Sequence, residues 1–301
     1  MNTVKAVLFR ISLMLASAAP ALALAQETMS DVCGTCRAEK FASCGGFLEG
    51  ATVDPSGGLW VMDLSGDRIL SIADNGQCVV KGKTGGQPNG AKFHSDGRLF
   101  IADNRQGLLV FDPSSARVTV LLGTYDGKPL VGANDLAIDD QGGIYLTLPA
   151  GSDLMTPAGK VLYLPAGAAA PKLVSDKIGF PNGVTIGAGG QTVLVAEFAA
   201  KRVISLPAVN AKGGFPLNYI YATTRGGVGP DGILMDKQGR LFTANLGTGE
   251  VLAFASDGRP VGSIRLPEDA GKAVTNVAVR GDFLYLTEAQ KGEIWRVRLG
   301  K

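Results

Sequence analysis

The sequence predicts an all-β chain closed into a six-bladed β-propeller. Three observations carry this. A phrase of one shape occurs six times, opening at Leu48-Glu49-Gly50, Pro88-Asn89-Gly90, Ala133-Asn134-Asp135, Pro181-Asn182-Gly183, Pro230-Asp231-Gly232 and Thr275-Asn276-Val277. From Glu49 the steps to Asn89, Asn134, Asn182, Asp231 and Asn276 are 40, 45, 48, 49 and 45 residues, a period that marks propeller blades. Each opening runs into a short apolar strand, a Gly-containing turn and a second apolar strand, too short for helices and rich in β-formers. A blade cannot bury both faces alone, so the repeats must stack around an axis.

The chain begins with a stretch of leader character. Lys5 and Arg10 give a positive start, Ile11 to Leu22 is mostly apolar, and Ala23-Leu24-Ala25 is an A-x-A cleavage site before Gln26. Residues 1–25 therefore read as a signal peptide, which predicts a periplasmic or secreted protein. The apolar run is shorter than the roughly 20 residues of a spanning helix. Cleavage takes two of the 29 basic residues and none of the 27 acidic ones, leaving 27 of each. A neutral chain without basic runs excludes nucleic acid as a partner, and no polybasic membrane patch exists. The expectation is a monomer acting on a small molecule.

Residues 26–45 form a Cys-containing segment with Cys33, Cys36 and Cys44; Cys78 lies late in the first blade. In an exported chain four cysteines predict two disulfides, and sequence leaves three connectivities open. Cys33-Gly34-Thr35-Cys36 also has the spacing of a redox motif or half a zinc site, but no thioredoxin-like βαβ pattern surrounds it. The disulfides should tie this segment to blade one. Residues 46–301 read as one propeller domain, because no linker breaks the period. Ala166 to Pro171 reads as a loop between outer strands of blade three. Ile294 to Val297 should lie at the ring closure, where the N-terminal segment can add a strand.

In a propeller the innermost strands start at one end of the central channel. Residues of equal phase then ring that mouth, here Glu49, Asn89, Asn134, Asn182, Asp231 and Asn276. All are oxygen donors, which suit Ca²⁺ or Mg²⁺ better than soft-ligand metals. The competing reading takes Pro-Asn-Gly and Pro-Asp-Gly as turns, with Pro setting φ and Gly supplying positive φ. It does not account for Glu49, or for Asn134 in a repeat without the Gly. His94 reads as a turn residue at the phase of Asp54, Asp139 and Asp236. No Ser–His nucleophile elbow is present. Trp60 and Trp295 fall inside strand patterns and read as blade packing.

Taken in order at blade spacing, Glu49-Gly50-Ala51, Ala133-Asn134-Asp135, Pro181-Asn182-Gly183 and Pro230-Asp231-Gly232 resemble the gluconolactonase/regucalcin-like group of six-bladed propellers. Tyr125 to Leu130 resembles that group's approach to its third-blade motif. The resemblance covers about Gly46 to Lys301. It implies a metal-dependent lactone hydrolase in which Glu49, Asn182 and Asp231 hold one divalent cation, Ca²⁺ first, with Zn²⁺ or Mg²⁺ as alternatives. Asn134 would bind substrate beside the metal, and Asp231 would also move the proton. Ala51, Ala133, Gly132 and Leu148 depart from the group's pattern, and they bear on substrate choice rather than on the metal set. Glu197 and Glu288, which end second strands, are alternative bases. Two other functions compete: a non-catalytic NHL-like binding propeller, and a strictosidine-synthase-like enzyme.

Overall fold

The computed structural model describes residues 27–213 and 217–300; the leader of residues 1–25 lies outside them. Six four-stranded antiparallel sheets form the blades. Their innermost strands are Leu48–Val53, Pro88–Phe93, Leu136–Ile138, Pro181–Ile186, Gly229–Met235 and Val274–Arg280, and these pack against one another around the channel. Second strands such as Leu59–Asp63 and Leu99–Asp103 are buried along their whole length, because blades cover both their faces. Outer strands such as Arg117–Leu122 are largely exposed. Each interface between blades carries its own apolar cluster, for example Trp60, Met62, Ile69, Leu99, Ile101 and Phe111 between blades one and two.

The turn chemistry explains the far end of the propeller. Asp54, Asp139 and Asp236 close the first hairpin of blades one, three and five, each Oδ1 accepting the N–H groups two and four residues on, at 2.8–3.0 Å. His94 holds the same place in blade two, and its Nδ1 accepts the Asp96 N–H at 3.3 Å. It is a turn residue, as its phase suggests. Between blades two and three, Tyr125-Asp126-Gly127-Lys128 forms a two-residue hairpin whose central residues have φ of 52° and 72°, the geometry of a type I′ turn. Ala166 to Pro171 is the expected loop between Gly159–Leu164 and Lys172–Ile178.

The N-terminal segment is part of the ring. Glu39–Ser43 pairs antiparallel with Glu293–Arg298 as the outermost strand of blade six. The propeller's sheets therefore start at Glu39, ahead of the boundary at residue 46 that the repeat period gives. A strand that precedes blade one in the chain thus closes the last blade and leaves no open seam. One of the two disulfides ties the segment to blade one, and the other is local to the segment. Cys44–Cys78 ties the segment to the outer strand of blade one, and Cys33–Cys36 closes the end of the one-turn helix Met29–Cys33. Among the described residues no cysteine is free, and no helix is long and apolar enough to cross a membrane.

Candidate functional site

The repeat openings are not turns. Glu49, Asn89, Asn182 and Asp231 lie within innermost strands, each at a β-bulge: pairing to the second strand breaks between Glu49 and Thr52, Pro88 and Ala91, Pro181 and Val184, and Pro230 and Ile233. A bulge re-aims side chains away from the pleat. The glycine after each opening is required by close approach between blades. A Cβ at Gly183 would stand 2.4 Å from the Asp231 carbonyl oxygen, and one at Gly50 2.2 Å from that of Asn89. Successive openings thus sit backbone against backbone around the mouth, and Gly90 N–H donates to the Asn134 carbonyl at 2.7 Å.

Blades three and six depart together. Asp135 and Asn276 take the glycine phase: each backbone N–H donates to a second-strand threonine, Thr147 Oγ1 at 3.0 Å and Thr287 Oγ1 at 2.9 Å. Each side-chain oxygen accepts the next residue's N–H, Leu136 at 2.8 Å and Val277 at 2.9 Å. Asn276 is therefore one step off the ring phase, which Thr275 occupies, with its hydroxyl donating to the Leu48 carbonyl at 2.6 Å. Counting along the repeat misses this slip because neither repeat has the Gly that marks the phase elsewhere.

The chain brings three buried carboxylates within electrostatic reach: Glu49, Asp135 and Asp231, at 6%, 2% and 5% exposure. Burial pushes Glu49 well above the carboxylate range, and the charges of Asp231 and Asp135 push it further. Asp231 rises to about 8 through burial and repulsion from Asp135. Burial also raises Asp135, against a lowering by Lys92 and by the N–H groups of Leu136 and Val184. Each opening carboxylate has an amide partner: Asn182 hydrogen-bonds Asp231, and Asn276 hydrogen-bonds Glu49. Asn134 is half-buried beside Asp135, its N–H donating to the Thr147 carbonyl at 3.0 Å. Asp135 was not among the expected site residues; its signal in the sequence is an acid standing where other repeats have Gly.

The donor set fits a hard divalent cation. Neither Glu49 nor Asp231 has an ion-pair partner among the described residues, and two buried carboxylates with amide neighbours, when ionised, carry a charge that such a cation would neutralise. No group of three His, Cys, Asp or Glu side chains among those residues is placed to hold an ion by itself, so a cation here would need amide oxygens as well.

The two alternative bases are already occupied. Glu197 accepts the Gly179 N–H at 2.9 Å and pairs with Arg202 Nε at 2.5 Å. Glu288 accepts three N–H groups, from Ala273, Gln290 and Lys291, at 2.9–3.1 Å. Asp63 and Asp103 do the same in blades one and two, bonding backbone N–H groups of the connecting loops. This second ring of acids fastens loops. A cavity of about 380 Å³ opens between blades three and four, lined by Asp139, Tyr145, Gln191 and Asn210 among others. Its polar groups largely satisfy one another, Asn210 donating to Tyr163 Oη at 2.7 Å and Tyr163 to Asp139 at 2.8 Å, so the buried carboxylates at the mouth mark the better candidate.

Comparison with known proteins agrees with this architecture. Residues 47–290 match the family model described as the SMP-30/Gluconolactonase/LRE-like region. A diisopropyl-fluorophosphatase of Loligo vulgaris is 26% identical over 231 residues, 70% of this chain and 72% of that protein. The lactonase drp35 of Staphylococcus haemolyticus is 26% identical over 238 residues, 75% of this chain and 71% of the relative. A gluconolactonase structure from Xanthomonas campestris superposes with a TM-score of 0.78 at 24% identity, covering 90% of this chain and 92% of the other.

Proposed function

The chain belongs to the SMP-30/gluconolactonase/LRE-like family, and from that membership and the charge at its channel mouth we propose that it is an exported, divalent-metal-dependent lactone hydrolase. The observation that carries the reading is the convergence of Glu49 and Asp231, buried and without cationic partners among the described residues, from blades one and five. Glu49, Asp231 and the Asn182 amide oxygen would hold the cation, with Ca²⁺ the best match to an irregular all-oxygen set. Bound there, it would supply Lewis-acid polarisation of a lactone carbonyl.

The chain's own groups cover the remaining work. Asn134, next along the mouth, donates from its amide to the lactone and orients the ring. Asp231 accepts a proton from the attacking water at a carboxylate oxygen and returns it to the ring oxygen as the ester bond opens, yielding a hydroxy acid. A hydrogen bond from Asn182 helps to orient that carboxylate. Burial keeps competing solvent from the carboxylates. The likeness to a diisopropyl-fluorophosphatase favours a second substrate class, phosphofluoridates, at the same mouth. Export is supported by the leader of residues 1–25 and by two disulfides, which persist in oxidising compartments.

A panel of aldonolactones and other lactones, assayed after chelation and again with Ca²⁺ restored, tests the reading. Hydrolysis should vanish on chelation and return with the ion. Hydrolysis indifferent to chelation would overturn the metal-dependent reading, and a panel with no substrate would leave the binding propeller in its place.

A further inference from the structure

Blade three differs from the others in one connection. Its second and third strands end at Leu148 and resume at Gly159, leaving residues 149–158 between them, where the other blades use three or four residues. This loop lies at the mouth end, because second strands finish beside the openings. It is anchored on both flanks of the candidate site. Ala150 lies against Gly132, 3.5 Å from where a Cβ there would stand, and Gly132 is two residues before Asn134. Ser152, itself buried, donates to the Ile178 carbonyl at 2.7 Å and accepts the Phe180 N–H at 3.0 Å, and Phe180 is two residues before Asn182.

The tip of the loop is apolar and carries its own turn. Asp153 Oδ1 accepts the N–H groups of Met155 at 2.8 Å and Thr156 at 2.7 Å, so the turn is held by its own side chain. The residues it presents are Leu154 and Met155, 60% and 88% exposed. Other apolar side chains stand on this side of the mouth. Phe180 and Phe198 pack ring to ring at 5.3 Å between the Asn182 and Asp231 openings, with Phe198 Cδ2 2.9 Å from where a Cβ on Gly229 would stand. Val131 and Val228, each 54% exposed, precede the third and fifth openings. A fixed, solvent-facing apolar pair costs free energy unless something covers it.

We propose that Leu154 and Met155, continued by Phe180, Phe198 and Val228, form an apolar wall that selects lactones bearing a hydrocarbon chain over polyhydroxylated sugar lactones. This rests on the lactonase reading above and adds its substrate class. A sugar lactone would set hydroxyls against these side chains and lose their hydration. An alkyl chain would cover them, and each methylene buried adds about 0.8 kcal/mol, roughly fourfold in affinity.

The test uses three lactones of one ring size: unsubstituted δ-valerolactone, the pentyl-bearing δ-decalactone and glucono-δ-lactone. The wild-type protein should show kcat/KM for δ-decalactone at least about 10-fold above the other two. Leu154→Ser combined with Met155→Ser should raise KM for δ-decalactone by about 10-fold, hold kcat, and collapse that preference. Val120→Ser, at an exposed apolar site on the outer strand of blade two, should leave the preference in place. Preference for glucono-δ-lactone, or an alkyl preference that survives the double substitution, would overturn the wall. A binding measurement separates this from failure of the lactonase reading. Calorimetry with a pentyl-substituted δ-lactam, which is not turned over, should show tighter binding than the bare lactam, lost in the double variant, even if no lactone is hydrolysed. Lactam binding independent of the chain would refute the proposal on its own.

Discussion

Replacing Asp231 by Asn should make the metal-free protein more stable, although it removes a residue proposed to be essential. The carboxyl is buried and held at about 8 in the folded state against 3.8 when free. Below the free value both states carry the proton and burial costs nothing by this route. As pH rises from 3.8 towards 8 the unfolded chain ionises while the folded chain does not, so folding loses stability. At about 1.4 kcal/mol per pH unit, the loss at pH 8 reaches a ceiling of roughly 6 kcal/mol. Part of that burden belongs to the repulsion with Asp135 and Glu49, which the same substitution relieves. Asn keeps the shape and an oxygen for the Asn182 amide but cannot ionise. In chelator at pH 8 the variant should unfold about 5–10 °C above wild type, taking several kcal/mol at roughly 2 °C each for a chain of this size. At pH 4.5 the two should nearly coincide. Adding Ca²⁺ should raise wild type at pH 8 and leave the variant almost unmoved. Thermal unfolding followed by circular dichroism at pH 4.5, 6 and 8 measures all of this. A variant less stable than wild type in chelator at pH 8, or wild-type stability flat across that range, would refute the reasoning.

Hydrolysis should respond differently from stability. Asp231→Asn should cut turnover at least roughly 10²-fold in steady-state assays, whereas Glu49→Gln should weaken mainly the ion and recover partly in excess Ca²⁺. Glu197→Gln should lower the melting temperature through the lost Arg202 ion pair, yet leave the pH profile of hydrolysis in place; a shifted profile would return Glu197 to the list of bases. Gly183→Ala should cost roughly 2–3 kcal/mol in denaturant titration, because its Cβ meets the Asp231 backbone; a neutral result would contradict the close packing of the openings. Removing Cys44–Cys78, which spans 34 residues, should cost about 4 kcal/mol in chemical unfolding, against about 2 for the four-residue loop of Cys33–Cys36.

The period alone made the architecture legible, because each blade repeats the same burial problem and so the same apolar pattern. The turn role of His94 was readable from its phase. The outer strand of blade six was readable only as an opportunity, since Glu39 to Ser43 carries no trace of the partner it meets at the far end of the chain. At the site, the sequence showed the opening carboxylates and amides but not what their glycines do. Pro-Asn-Gly looks like a turn because Gly serves a turn by its dihedral freedom and a close approach by its missing side chain, and only the neighbouring blade distinguishes them. The slip at Asn276 and the entry of Asp135 share that cause. Glu197 and Glu288 looked like free bases because a carboxylate's backbone partners cannot be read along the chain. The exposure of Leu154 and Met155 at a loop tip follows from the fold and not from their composition.

The claim on which the account turns is that Glu49 and Asp231 come together to hold one divalent cation. Calorimetric titration of the stripped full-length protein with Ca²⁺ tests it most directly. The account predicts one ion per chain, weakened by roughly 10²-fold or more in Asp231→Asn and in Glu49→Gln as an order-of-magnitude loss for a charged ligand. Asn89→Ala, at a neighbouring blade's matching opening, should change the affinity by less than about threefold. Absence of saturable binding, or an ion retained equally by the Asp231 variant, would contradict it.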